Sequence, residues 1–86
     1  MKNTITQDDI NSILERTHWT VEEFHGKCTV VVAKLPNGFI LTESSACVDP
    51  VNYDAKIGTE ICKERIVNKI WELEGYRLQC TISEQK

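Results

Sequence analysis

Ile5, Ile10, Ile13 and Leu14 recur at helical spacing among polar residues, so the chain begins with a helix carrying one narrow apolar stripe. Thr6, with Asp9 three residues on, supplies an N-cap and an acid in the first turn. This places the helix start near Gln7 and its end near Thr17. Ile5 and Ile10 stand at the two positions of a hydrophobic staple.

From Trp19 the apolar period changes from about 3.6 to 2, with Trp19 and Val21 alternating with Thr20 and Glu22. His25-Gly26 turns the chain into a second strand, Lys27 to Leu35. Its segment "CTVVVAKL" is β-branched and almost unbroken by polar residues, as in a central strand covered on both faces. Pro36-Asn37-Gly38 makes the next turn, and Phe39 to Glu43 forms the third strand of an antiparallel meander. Ser44 to Tyr53 then follows neither period and reads as an irregular connection.

Asp54 can cap a long helix running through about Glu74, with Gly75 placed as its C′ residue. Beyond it Tyr76, Leu78, Cys80 and Ile82 alternate with polar residues, which fits a short last strand or a helical continuation through Gln79. The expected architecture is a single α+β domain over residues 1–86: an N-terminal helix, a three-stranded antiparallel meander, and a long C-terminal helix packed on the sheet.

On the long helix, Thr59, Cys62, Ile66, Ile70 and Leu73 share one stripe, which is expected to cover the sheet. Val67 and Trp71 fall roughly opposite and call for a cover, from the N-terminal helix or from another subunit. Arg65 and Lys69, one turn apart, border the core stripe. They can snorkel past the sheet and pair with Glu72 or Glu43, or together straddle a phosphate.

An 86-residue chain holds one core, and a domain this small gains from burying further apolar surface by self-association. The net charge of −3, with no basic run, argues against reading duplex DNA. Met1-Lys2-Asn3-Thr4 leads into no apolar leader, and no stretch has the length and apolarity of a membrane span, so an intracellular protein is expected. Cys28, Cys47, Cys62 and Cys80 form no Cys-x-x-Cys motif and read as small buried hydrophobes rather than as a metal or disulfide set.

The sequence has none of the glycine-rich phosphate loops, zinc-protease helices or nucleophile elbows that mark common catalytic sites. Cys28 and His25 are poorly spaced for a nucleophile pair, and Asp8-Asp9 and Glu22-Glu23 are neighbours whose side chains diverge into solvent. One constellation remains: Phe39, the hydroxyls of Thr42, Ser44 and Ser45, the polar residues Asp49, Asn52 and Tyr53, and the Arg65/Lys69 pair. Together they offer a stacking face, partners for a ribose or base edge, and a phosphate clamp, although a Phe that opens a strand also commonly packs inward.

The runs "PNGFILTESSACVDPVNYD" and "IGTEICKERIVNKIWELEGYRLQ", with a match from about Thr29 to Gln79, resemble a family of small tailed-phage proteins that borders on the Thoeris anti-defence sponge proteins. The resemblance implies a non-enzymatic, cofactor-free sponge in the host cytoplasm. It would bind a cyclic ADP-ribose-type signal at a subunit interface of a dimer or hexamer and hold it from the host's immune effector. It assigns Phe39 to stack on adenine, Asp49 or Asn52 to hold ribose or base, and Arg65 and Lys69 to neutralise pyrophosphate, with Arg16 matching a further basic residue. Lys69 stands where the sponge pattern has arginine. The resemblance also allows a second site, for cyclic oligonucleotides, which no residues here locate. The alternatives are a phage protein that inhibits a host factor through the Val67/Trp71 face, and a structural phage domain whose polar connection only joins elements.

Overall fold

The computed structural model describes residues 3–84. Helix α1 spans Gln7–Glu15, strands β1, β2 and β3 span His18–Phe24, Cys28–Lys34 and Ile40–Ala46, a single 3-10 turn spans Pro50–Asn52, and helix α2 spans Ala55–Glu84. The α+β architecture expected from the pattern is the one observed.

Thr6 and Asp9 close a reciprocal capping box on α1: the Asp9 amide donates to Thr6 Oγ1 at 3.3 Å, and the Thr6 amide donates to Asp9 Oδ2 at 2.8 Å. Ile5 packs against the core, and Ile10 is fully buried within it. The sheet is an antiparallel meander in the order β1-β2-β3. His25 and Gly26 both take positive φ at the first turn, the backbone that a tight hairpin of this hand needs. Gly38, at φ 92°, does the same for the second.

Thr29, Val31 and Ala33 of β2 are completely buried beneath α2, which packs on β2 and β3. Cys62, Ile66 and Ile70 of α2 meet them, with Ile10 of α1, to form the core. At Gly58 the helix comes so close to Thr29 that its missing side chain becomes a packing feature. Thr29 is the buried polar residue of the sheet; its hydroxyl lies 2.6 Å from the Tyr53 hydroxyl.

Three expectations are corrected. First, β3 runs on to Ala46, so Ser44 and Ser45 join Thr42 in the strand rather than lying in a loop. Their alternating burial marks β-structure whose hydroxyls disguise the period. The irregular connection shrinks to Cys47–Asp54 and its 3-10 turn.

Second, α2 does not stop at Glu74. Gly75 is an interior helical residue, and of the two alternatives for residues 76–82 the helical continuation is the one observed, running past Gln79, so no fourth strand forms among the described residues. At about 1.5 Å per residue this 30-residue helix is about 45 Å long, against about 23 Å for a seven-residue strand. The helix therefore outruns the sheet, and the molecule measures 56 × 20 × 18 Å.

Third, the core face of α2 ends earlier than its periodicity suggests. Leu73 keeps the right angular position but is 40% exposed, because the sheet has run out beneath it. Val67 and Trp71, placed by the wheel on an outer face, are instead half-buried and pack against the core cluster, as do Ile13, Leu14 and Trp19. Lys63 caps this side, with Nζ 5.2 Å from the centre of the Trp19 ring.

Candidate functional site

The carbonyls of β3 face the flank of α2, and this brings the two expected cations together. Arg65 Nη1 donates to the Ser44 carbonyl at 3.0 Å, and Lys69 Nζ donates to the Thr42 carbonyl at 3.4 Å. Between them stands Glu43, whose carboxylate pairs with Lys69 and lies 3.8 Å from Arg65 Nη1. Glu43 is thus the shared acid of the two alternatives raised by the sequence. Its side chain is 17% exposed, whereas those of Arg65 and Lys69 are 54% and 44% exposed. One acid against two cations leaves the ledge with an excess positive charge on two outward-reaching groups.

Phe39 and the polar loop residues do not join this ledge as a single pocket. Phe39 opens β3 at one end, while Asp49 and Asn52 follow it at the other, so about 23 Å of extended strand separates them. The length of β3 splits, within one chain, the constellation that the sequence grouped around Phe39, Asp49 and Asn52. An extended strand carries its two ends apart.

At the first end, Phe39 is 51% exposed, and its amide donates to Asn37 Oδ1 at 3.0 Å. The same turn borders a hollow of about 270 Å³ lined by Leu35, Asn37, Arg16 and Arg77. Arg16 and Arg77 also line a groove of about 450 Å³ between α1 and the distal part of α2, floored by Ile13 and Leu78. Arg16 Nε donates to the Ser12 carbonyl at 3.1 Å, and Arg77 is held by Glu74 at 2.7 and 2.8 Å. Arg16 therefore neighbours the Phe39 turn rather than the Arg65/Lys69 ledge.

Arg77 is the residue the sequence reading missed. Its signal is the Glu74/Arg77 pair at i,i+3, which becomes visible once residues 76–82 are read as helix.

At the other end, Asp49 Oδ1 accepts from the Val51 amide at 3.0 Å and caps the 3-10 turn. The Asn52 carbonyl accepts from Cys47 Sγ at 3.7 Å. The cavity here, lined by Asn52, Tyr53, Ser45 and Gly58, is only about 80 Å³, enough for water but not for a nucleotide. Asp54 caps α2 as expected, its Oδ1 accepting from the amides of Lys56 at 2.9 Å and Ile57 at 3.4 Å.

The bond with Thr29 draws the Tyr53 phenol down, but desolvation and the nearby Glu23 carboxylate outweigh it and leave the group above its ordinary range. Burial pushes the Cys62 thiol up. All four cysteines are free; Cys62 is buried as expected, whereas Cys28, Cys47 and Cys80 are only half-buried. Among the described residues no cluster of three or more His, Cys, Asp or Glu side chains is arranged to hold a metal ion, and no helix is long and apolar enough to cross a membrane.

No curated protein and no solved structure matches this chain. A family model does, over residues 5–82, which takes in both helices, the whole sheet and the cationic ledge: the chain belongs to the phage protein family described as N4 Gp49/phage Sf6 gene 66.

Proposed function

We propose that this phage protein is a non-enzymatic sponge that binds a cyclic ADP-ribose-type immune signal in the host cytoplasm and withholds it, uncleaved, from the effector it activates. The observation that carries the reading is the pair of exposed cations, Arg65 and Lys69, one helical turn apart on α2 and anchored at their ends by the carbonyls of Ser44 and Thr42. Anchoring of this kind reduces the side-chain freedom a phosphate would have to quench on binding. Their shared partner Glu43 holds the ledge in place until a more highly charged pyrophosphate displaces it.

Membership of a phage family and the resemblance to anti-defence sponges support the choice of ligand class. Sequestration needs only affinity and copy number, which suits a small domain without a catalytic signature. The separation of Phe39 from Asp49 and Asn52 favours a ligand held between copies of the chain in a dimer or hexamer, since one chain cannot present all of these groups to one nucleotide.

Calorimetry with cyclic ADP-ribose isomers, linear ADP-ribose and inorganic pyrophosphate tests the reading. Saturable binding of a cyclic isomer, with the same molecule recovered after heat release, supports it. A flat trace across the panel removes it, and recovery of a cleaved product makes the protein an enzyme.

A further inference from the structure

The central strand reads as covered on both faces, yet the described residues cover only one. Both helices contribute to the core on the side of Thr29, Val31 and Ala33. Alternation therefore turns Cys28, Val30 and Val32 the other way, where solvated antiparallel sheets ordinarily place polar residues. Their cross-strand neighbours complete the face: Phe24 and Ala46 beside Cys28, Glu22 and Ser44 beside Val30, Thr20 and Thr42 beside Val32, and His18 and Ile40 beside Lys34. Phe24 is 43% and Ile40 49% exposed, and a shallow open hollow lies over Val30, Thr42 and Ser44.

We infer that this face is covered by a second copy of the chain, sheet against sheet, with the two central strands antiparallel across the interface. The distribution of charge selects the partner and the direction. The face carries one acid, Glu22, and one permanent base, Lys34. A two-fold axis running along the strands would set Lys34 against its own copy. An in-plane axis across the strands instead sets Lys34 over the partner's Cys28 and diagonal to the partner's Glu22.

The same operation puts Val30 over the partner's Val32 and Val32 over the partner's Val30, and lays Ile40 over the partner's Ala46. Small side chains opposite one another let the sheets approach to the usual separation of about 10 Å. The face measures about 14 by 23 Å, so two copies cover about 640 Å² between them, below the roughly 1,200 Å² of a standard specific interface, and the pair is a weak one that dissociates on dilution.

This pairing rests on the sheet and not on the nucleotide reading, but it bears on it. Reversal of β3 against β3 brings the Phe39 end of one strand to the Asp49 and Asn52 end of the other, so the groups that one chain holds apart meet at two equivalent edges of the dimer.

Light scattering and sedimentation equilibrium, without nucleotide, test the inference. The wild-type chain should show twice its 9.8 kDa mass at high concentration and fall towards one chain on dilution. Val32→Glu should abolish the dimer, and so should Ser44→Lys, an exposed site where a charge leaves folding intact; the far-ultraviolet circular dichroism of Ser44→Lys should match the wild type.

The direction is read by oxidising chains in which Cys28, Cys47 and Cys80 are Ser. A mixture of Val30→Cys and Val32→Cys chains should cross-link, and neither alone should. A wild-type protein monomeric at its highest soluble concentration, or a dimer indifferent to both charge variants, overturns the interface. Equal cross-linking of a single variant overturns the antiparallel direction.

Discussion

Gly58 of α2 and Thr29 of β2 approach so closely that a Cβ on residue 58 would meet Thr29 Oγ1 at 2.6 Å and Thr29 Cβ at 3.1 Å. Thr29 cannot yield easily, since it is fully buried and its hydroxyl is bonded to Tyr53. Gly58→Ala should therefore destabilise by about 1–2 kcal/mol, overpacking outweighing the gain in helix propensity of about 1 kcal/mol. Urea denaturation of Gly58→Ala, Thr29→Ala and the double variant measures the coupling: removing Thr29 Oγ1 relieves the nearer clash, so the loss in the double variant should be smaller than the sum of the two single losses.

Gly75 sits in the same helix with nothing within 4 Å of where its Cβ would be. The same substitution there should have the opposite sign. Gly75→Ala is expected to stabilise by about 0.5–1 kcal/mol, since it adds helix propensity without a clash. A thermal midpoint that falls would mean that the helix is interrupted at residue 75.

Glu43 competes with any anion for Arg65 and Lys69. Glu43→Gln removes the charge from a side chain only 17% exposed between two exposed cations and should cost about 1 kcal/mol, while tightening pyrophosphate binding and steepening its salt dependence. Arg65→Ala should weaken that binding at least tenfold, and Lys69→Arg should retain or improve it because a guanidinium supplies a bidentate fork. Titration calorimetry at two ionic strengths distinguishes these outcomes.

Burial raises the Cys62 thiol above its ordinary range, so the unfolded chain loses this proton at a lower pH than the folded one. The contribution of Cys62 to stability is complete below the unfolded-state value of about 8.5 and declines as the pH rises through and beyond it. Denaturation midpoints of the wild type and Cys62→Ala should diverge at neutral pH and converge towards alkaline pH. Mass-spectrometric labelling at neutral pH should modify Cys62 last, after the half-buried Cys28, Cys47 and Cys80.

Asp54 and Asp49 are both caps, of unequal weight. Asp54→Ala removes the acceptor for two amides of a 30-residue helix and should cost about 1 kcal/mol. Asp49→Ala frees one amide of a three-residue turn and should leave the unfolding midpoint nearly unchanged. A large loss at Asp49 would mark it as a structural anchor and remove it from the candidate ligand residues.

The capping box at Thr6 and Asp9, the two hairpin turns, the Asp54 cap and the buried stripe from Cys62 to Ile70 are all local matters of period and capping chemistry, and the sequence alone determined them. It also set Arg65 and Lys69 one turn apart, since helical spacing is fixed by the backbone. Tertiary structure decided the rest. The hydroxyls of Ser44 and Ser45 hide the second half of β3, which only pairing with β2 makes evident, and the full strand parts Phe39 from Asp49 and Asn52. Where the sheet ends decides that Leu73 is exposed, and packing draws Val67 and Trp71 inward. Periodicity gives the direction in which a side chain points; whether anything is there to meet it depends on the lengths of the elements and how they are laid together.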